Sequence, residues 1–189
     1  PYHGALMRGT SQQTFEQFAK VGEAGVTIMV QDAPLSGVDL PVPLLIKMAK
    51  EIETVKCFKI ECAQAASKLR KLVVEGGDAI EGPFDGEEGI TLFADLEAGA
   101  TGNMSSAMIP DLIKPVVLDY LAGEFDKSED KNNNILPVIN YENRQCGFRA
   151  TKVIMKEGNV INSDFCRHPI PPLEEQTKAG LIKLIKKYD

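Results

Sequence analysis

The feature that most constrains this chain is an alternation. Short, nearly unbroken apolar runs are each followed, after a few turn residues, by a stretch with helical spacing of its apolar side chains. Residues 26–30 (VTIMV) form one such run, bounded by Gly25 and by Gln31-Asp32, and residues 55–61 (VKCFKIE) form another. Strands apolar on both sides suit a parallel sheet covered on both faces. Strand, turn and helix in repetition predict βαβ units. Helices are expected from Ser11, acting as the cap, to about residue 24, from Pro43 to about 51, over 63–75 and closed by Gly76-Gly77, from Glu87-Glu88 to near Gly99, and over 110–122. Further strand candidates are 78–82 and 100–106, with 83–86 as a loop and 33–37 as a turn.

After Phe125 the pattern changes. Helical segments over about 127–157 and 174–187 are joined by the Pro-rich stretch 168–172, with no strand among them. We therefore expect an α/β part over 1–124 and a C-terminal helical bundle over 125–189. No G-x-G-x-x-G follows any strand, so a dinucleotide fold has no support. The α/β part holds only four or five strand–helix units, where a (β/α)8 TIM barrel needs eight. It is either the C-terminal part of such a barrel, about strands 4/5 to 8, or an open fold.

Charge and cysteine usage narrow the function classes. A formal net charge of -6 argues against a general nucleic-acid binder. No apolar run reaches the roughly 18 residues that would mark a membrane span. Cys57, Cys62, Cys146 and Cys166 form no C-x-x-C pair, and the histidines are His3 and His168, so no metal dependence and no cofactor are predicted. Reduced thiols in a cytoplasmic protein are the expectation.

The 55–61 run carries the chemistry. It ends in Lys59 and Glu61, two residues apart and so on one side of a strand. In a (β/α)8 barrel the working residues stand at the C-terminal ends of strands. Gln31-Asp32, Lys59 with Glu61, Glu81-Gly82 and Gly102-Asn103 occupy such ends and would converge on one pocket. A lysine desolvated at an apolar barrel mouth has a free amine, which attacks a ketone to form an imine. Glu61 would be the base or the lysine's charge partner. The plainer alternative is a surface Lys-x-Glu ion pair, with Gln31 and Asp32 as turn residues. Residues 141–145 (YENRQ) read as a capping or subunit-contact segment.

Phe58-Lys59-Ile60-Glu61 resembles the Schiff-base strand of the dihydrodipicolinate synthase / N-acetylneuraminate lyase superfamily, and the resemblance covers nearly the whole chain. Pro1-Tyr2-His3-Gly4 is similar to the Pro-Tyr-Tyr segment ending that family's fourth strand. Val30-Gln31-Asp32-Ala33-Pro34-Leu35-Ser36-Gly37 is similar to its Tyr-Asn-Val-Pro turn after the fifth. The resemblance implies that Lys59 ends the sixth strand, Gly82 the seventh and Gly102-Asn103 the eighth. It makes Lys59, Glu61 and Gln31 catalytic and Tyr2, His3, Gly82, Gly102 and Asn103 substrate-binding.

Two departures narrow the choice. Gln31 stands where the synthase and the lyase carry a proton-relaying tyrosine, and Ile60 separates Lys59 from Glu61. With 139–147 (INYENRQCG), these resemble the L-2-keto-3-deoxyarabonate dehydratases of the superfamily. The resemblance implies a small 2-keto acid substrate, loss of water to 2-oxoglutarate semialdehyde, and a homotetramer. Retro-aldol cleavage, pyruvate condensation, and a silent homologue or assembly partner are the alternatives. It also implies a protein of about 300 residues whose first three strands precede Pro1, and an inactive isolated chain.

Overall fold

The computed structural model describes residues 9–33 and 39–188. Tyr2, His3 and the 34–37 part of the expected turn lie outside the described residues. Within them the order is α1 (Ser11–Gly22), β1 (Ile28–Asp32), α2 (Val42–Glu51), β2 (Val55–Ile60), α3 (Ala65–Gly76), a 3-10 turn (Gly77–Ala79), β3 (Gly82–Asp85) and α4 (Leu92–Glu97). Then follow α5 (Pro110–Leu121), α6 (Phe125–Tyr141), a π-helical turn (Glu142–Cys146), α7 (Arg149–Glu157) and α8 (Glu175–Ile185). The chain divides into two compact units, 1–104 and 105–189.

In the first unit the strands form a parallel sheet in the order β1-β2-β3. The βαβ expectation holds, because each strand leads through a helix to its parallel neighbour. Phe58 and Ile60 on β2 are fully buried and pack with Val30 of β1, Leu45 and Met48 of α2, and Leu69 and Leu72 of α3. Each such side chain removed from water contributes about 1.5–3 kcal/mol. By the two-residue period, Cys57, Lys59 and Glu61 point to the opposite side from Phe58 and Ile60. That alternation sets the polar strand end against the apolar core.

Local chemistry shifts several boundaries. The cap of α1 is Thr10, not Ser11: Thr10 Oγ1 accepts the Gln13 N–H at 3.2 Å, and the Thr10 N–H donates to Gln13 Oε1 at 2.9 Å. Gly77 ends α3 as expected, at φ +53 and ψ -136, a combination that glycine adopts without strain. The strand candidate at 78–82 is corrected. Residues 77–79 turn, and β3 begins at Gly82 and includes the expected loop residues Pro83, Phe84 and Asp85. The 100–106 candidate is an isolated parallel bridge between Asp85 and Asn103 rather than a strand. The helix expected from Glu87-Glu88 begins only at Leu92, because Glu88 (φ 57) and Gly89 (φ 86) are left-handed.

In the second unit α5 and α6 pack together, with the Ser128 hydroxyl donating to the Val116 carbonyl at 2.8 Å. That partnership groups α5 with the later helices, whereas the sequence drew its division at 124/125. The buried Glu142 carboxylate accepts the hydroxyls of Ser106 (2.5 Å) and Thr151 (3.3 Å). Asp164 sits between Lys156 (2.8 Å) and Lys178 (2.6 Å), whose hydrogen bonds hold its carboxyl well below the usual range.

Candidate active site

Register brings the predicted residues together. Gln31 of β1 lies opposite Lys59 of β2, and Lys59 lies opposite Phe84 of β3. Partners in parallel register project to the same face, so these side chains form a row across the three C-terminal strand ends. Glu61 follows one residue past β2, its N–H donating to the Asp32 carbonyl at 2.9 Å. Lys59 Nζ lies 2.7 Å from Glu61 Oε2, and Gln31 Nε2 donates to the same oxygen at 2.6 Å. The lysine and glutamate side chains are only 15% and 20% exposed. This is a recessed, charge-assisted cluster rather than a loose surface pair.

Asp32 does not join that row. Its fully buried carboxylate points into the helix layer, where Oδ1 accepts the Leu40 N–H at 3.1 Å and Oδ2 pairs with Lys68 Nζ of α3 at 2.5 Å. Lys68 also reaches Asp39, at 2.5 Å. Burial pulls Lys68 down, but its hydrogen bonds and charge contacts with both aspartates outweigh that and leave it raised. Cys62, buried beside this group, is pushed up to about 11, by burial first and then against the opposing pull of Lys68. A thiol of that kind is no nucleophile at neutral pH.

The glycines divide by position. Gly82 opens β3 opposite Cys57 instead of ending a strand, so it stands two residues short of Lys59. A Cβ on Gly82 would lie 3.0 Å from the Phe84 ring, and one on Gly102 would lie 2.9 Å from it. Both leave room for the ring that flanks Lys59. The residue at the strand end is Gly86, which the sequence placed in a loop. A Cβ there would meet Glu61 Cβ at 2.8 Å, the Ile60 carbonyl oxygen at 2.9 Å and Lys59 Cγ at 2.9 Å. The Gly86 N–H donates to that carbonyl at 2.8 Å.

Beneath Gly86 sits a second acidic group that sequence reasoning missed. Asp85 and Asp95 are both fully buried. Asp85 Oδ1 accepts the Glu87 N–H at 2.8 Å, and Oδ2 accepts from Asn103 Nδ2. Asp95 Oδ2 accepts the Thr91 hydroxyl at 2.6 Å. Burial raises Asp85 to about 7, with the Glu87 N–H pulling back and the charge of Asp95 adding to the rise. Asp95 is raised by burial too, against the opposing pull of the Thr91 hydroxyl and of Asp85, so the two buried carboxyls act on each other. Ten residues apart in a polar turn and a short helix, they have no periodic signature; only the fold makes them neighbours. Asn103, expected to bind substrate, has its N–H committed to Asp85. Its Oδ1 is buried with no partner among the described residues.

The chain is similar to known proteins over nearly its whole length. The model of the family described as the dihydrodipicolinate synthetase family matches residues 1–188. The L-2-keto-3-deoxyarabonate dehydratase of Azospirillum brasilense is 50% identical over 190 residues, covering 100% of this chain and 62% of that protein. The solved dihydrodipicolinate synthase of Rhodopseudomonas palustris superposes with a TM-score of 0.85 at 24% identity, over 97% of this chain and 63% of that one. That of Aquifex aeolicus gives 0.87 at 19%, over 96% and 62%. At these identities the superpositions speak for the fold. The chain thus spans somewhat under two thirds of the length of these relatives.

Proposed function

We propose a Schiff-base dehydration for this chain, which belongs to the dihydrodipicolinate synthetase family. The substrate is a 2-keto-3-deoxy sugar acid, with L-2-keto-3-deoxyarabonate the first to test. The name of the 50% identical relative supports that choice. The observation that carries the reading is Glu61 Oε2, held between Lys59 Nζ at 2.7 Å and Gln31 Nε2 at 2.6 Å.

Glu61 can take a proton from Lys59 directly, freeing the amine. The amine adds to the C2 ketone and water leaves, forming the imine. Protonated, the imine is an electron sink, so the C3 proton becomes acidic and passes to Glu61. The enamine pushes out the C4 hydroxyl, which leaves as water with that proton. Elimination leaves a C3=C4 double bond conjugated with the imine. Loss of a C5 proton and return of a proton to C3 move that double bond to C4=C5, and this enol becomes the aldehyde as a proton passes from its hydroxyl to C4. Hydrolysis of the remaining imine returns Lys59 and releases the semialdehyde, for a net loss of one water. Gln31 has no ionisable proton. It orients the carboxylate instead of relaying, which favours elimination over the proton traffic of a condensation.

The remaining parts of the reading follow from the family. β1, β2, β3 and the Asn103 segment are strands five to eight of a (β/α)8 barrel, and the later helices are its C-terminal extension. Tyr2, His3 and Asn103 line the substrate pocket. The assembly is a homotetramer of the cytoplasm, whose reduced state suits four free cysteines.

The test is reduction with cyanoborohydride in the presence of the keto acid, followed by peptide mass analysis. An adduct on Lys59 that disappears in Lys59→Met is expected, with semialdehyde as the product. Pyruvate as the product would mean carbon–carbon cleavage, and an adduct on another lysine would overturn the assignment.

A further inference from the structure

The Asp85–Asp95 pair lies outside the chemistry above, yet it is joined to it through the backbone. Asp85 is the last residue of β3, and the next residue is the glycine wedged against Lys59 and Glu61. Its carboxylate oxygens are held by Glu87 on one side and Asn103 on the other. Its main chain is held as well, with its N–H donating to the Gly102 carbonyl at 3.0 Å and its carbonyl accepting the Met104 N–H at 2.8 Å. Asp85 is therefore the knot that ties the 86–88 turn and the 102–104 segment to the end of β3.

Asp95 faces this knot from α4. Its Oδ1 is buried and no donor among the described residues reaches it. Two carboxylates meeting out of water cannot both ionise, and neither offers a hydrogen to the other unless one is protonated.

We propose that the buried Asp85–Asp95 pair is a positioning device, which shares one proton and thereby seats Gly86 and Asn103 around the Lys59–Glu61 site. The proposal rests on Lys59 being the reacting amine. When the shared proton leaves, the two charges repel, Asp85 moves off Asp95, and Gly86 loses its seat. The charged groups nearby are Asp95 on α4, Glu87 and Glu88 in the turn after Asp85, Lys59 on β2, and Glu61 just past its end. Among these, Asp95 is the group that interacts directly with Asp85 through its side chain. Asn at 95 keeps an oxygen for the Thr91 hydroxyl and supplies an N–H to Asp85, so the pair no longer needs the proton.

The experiment uses pyruvate and cyanoborohydride as the probe, with the Lys59 adduct read by peptide mass analysis across a pH series spanning 7. The ratio of adduct formation in Asp95→Asn to that in wild type is expected to rise about tenfold as pH passes from well below 7 to well above it, the order expected when a reacting group is displaced. A purely structural role leaves that ratio flat. Asp85→Ala is expected to lower adduct formation about tenfold at every pH, with partial rescue by Asp85→Asn.

Amide exchange at Gly86 and Glu87 gives a readout independent of chemistry. The closed pair carries a proton that the opened pair lacks, so protection in wild type should fall as pH rises to about 7 and then level off. In Asp95→Asn that fall should be absent. A flat adduct ratio, or the same exchange profile in both proteins, overturns the proposal. Absence of any Lys59 adduct in wild type overturns the imine reading instead, and the exchange profile then decides the role of the pair by itself.

Discussion

Replacing Lys68 by methionine removes the cation that pairs with the fully buried Asp32 carboxylate at 2.5 Å, and leaves the apolar stem nearly unchanged in volume. Breaking a buried pair from one side destabilises by about 3–5 kcal/mol, because a charge is left without a partner. The penalty has a ceiling, since the carboxyl can take up a proton instead. Raising an ordinary carboxyl from about 3.9 to neutral pH corresponds to about 4 kcal/mol. Asp39 is 70% exposed, so losing its contact with Lys68 adds less than about 1 kcal/mol. The expected loss is therefore about 3–4 kcal/mol at pH 7.

The sign of the pH dependence follows from proton binding. In the variant the folded chain holds a proton that the unfolded chain lacks above pH of about 4, so the deficit grows with pH from there. At a pH of about 5 the same arithmetic leaves only about 1.5 kcal/mol. Urea unfolding followed by far-ultraviolet circular dichroism is the assay, because the chain has no tryptophan to report by fluorescence. Adding Asp32→Asn should recover stability to within about 1 kcal/mol of wild type, since the amide oxygen still accepts the Leu40 N–H. A loss below about 1 kcal/mol at pH 7, or an equal loss at both pH values, would refute the assignment of a buried, obligatory ion pair.

Two further outcomes are expected. Gly86→Ala forces a methyl to within 3 Å of the Ile60 carbonyl and the Lys59 stem. It should destabilise by about 1–3 kcal/mol and reduce Lys59 adduct formation by about tenfold; a variant that traps at the wild-type rate contradicts the close approach. Cys62, at about 11 against an ordinary 9.0, should react with iodoacetamide about a hundredfold more slowly than a free thiol below pH 9. Because Lys68 lowers Cys62, Lys68→Met should slow it further, and faster alkylation in the folded variant would contradict the placement.

Much of the arrangement was legible because it repeats. Phe58 and Ile60 alternate with Lys59 and Glu61 in the chain itself, so the inward and outward faces of β2 follow from a two-residue period. The resemblance carried by Phe58-Lys59-Ile60-Glu61 then pointed to the family that the model of that family matches over 1–188. Local competition hid other features. Residues 78–82 look as strand-like as 82–85, and Pro83 argued for a loop, since proline lacks an N–H for a ladder. In the structure Pro83 takes its place in β3, its carbonyl accepting the Thr101 N–H at 2.9 Å. The 100–106 run, expected as a strand, pairs with β3 only as a single bridge at Asn103.

Sequence alone determined the repeating units of this protein: the runs at 26–30 and 55–61 that supply β1 and β2, the helices that follow them, which faces are apolar, and that one lysine and one glutamate share a strand end. Those properties depend on neighbours a few residues apart. Only the tertiary structure decided which strand ends meet. Register set Gln31 against Glu61 across 30 positions, sent Asp32 to Lys68 instead of to the site, and put Gly86 rather than Gly82 beside Lys59. It also buried Asp85 and Asp95 together in the first unit, where loss of water raises two ordinary acids. Such pairings have no period in the chain, because they arise from the packing of separate elements.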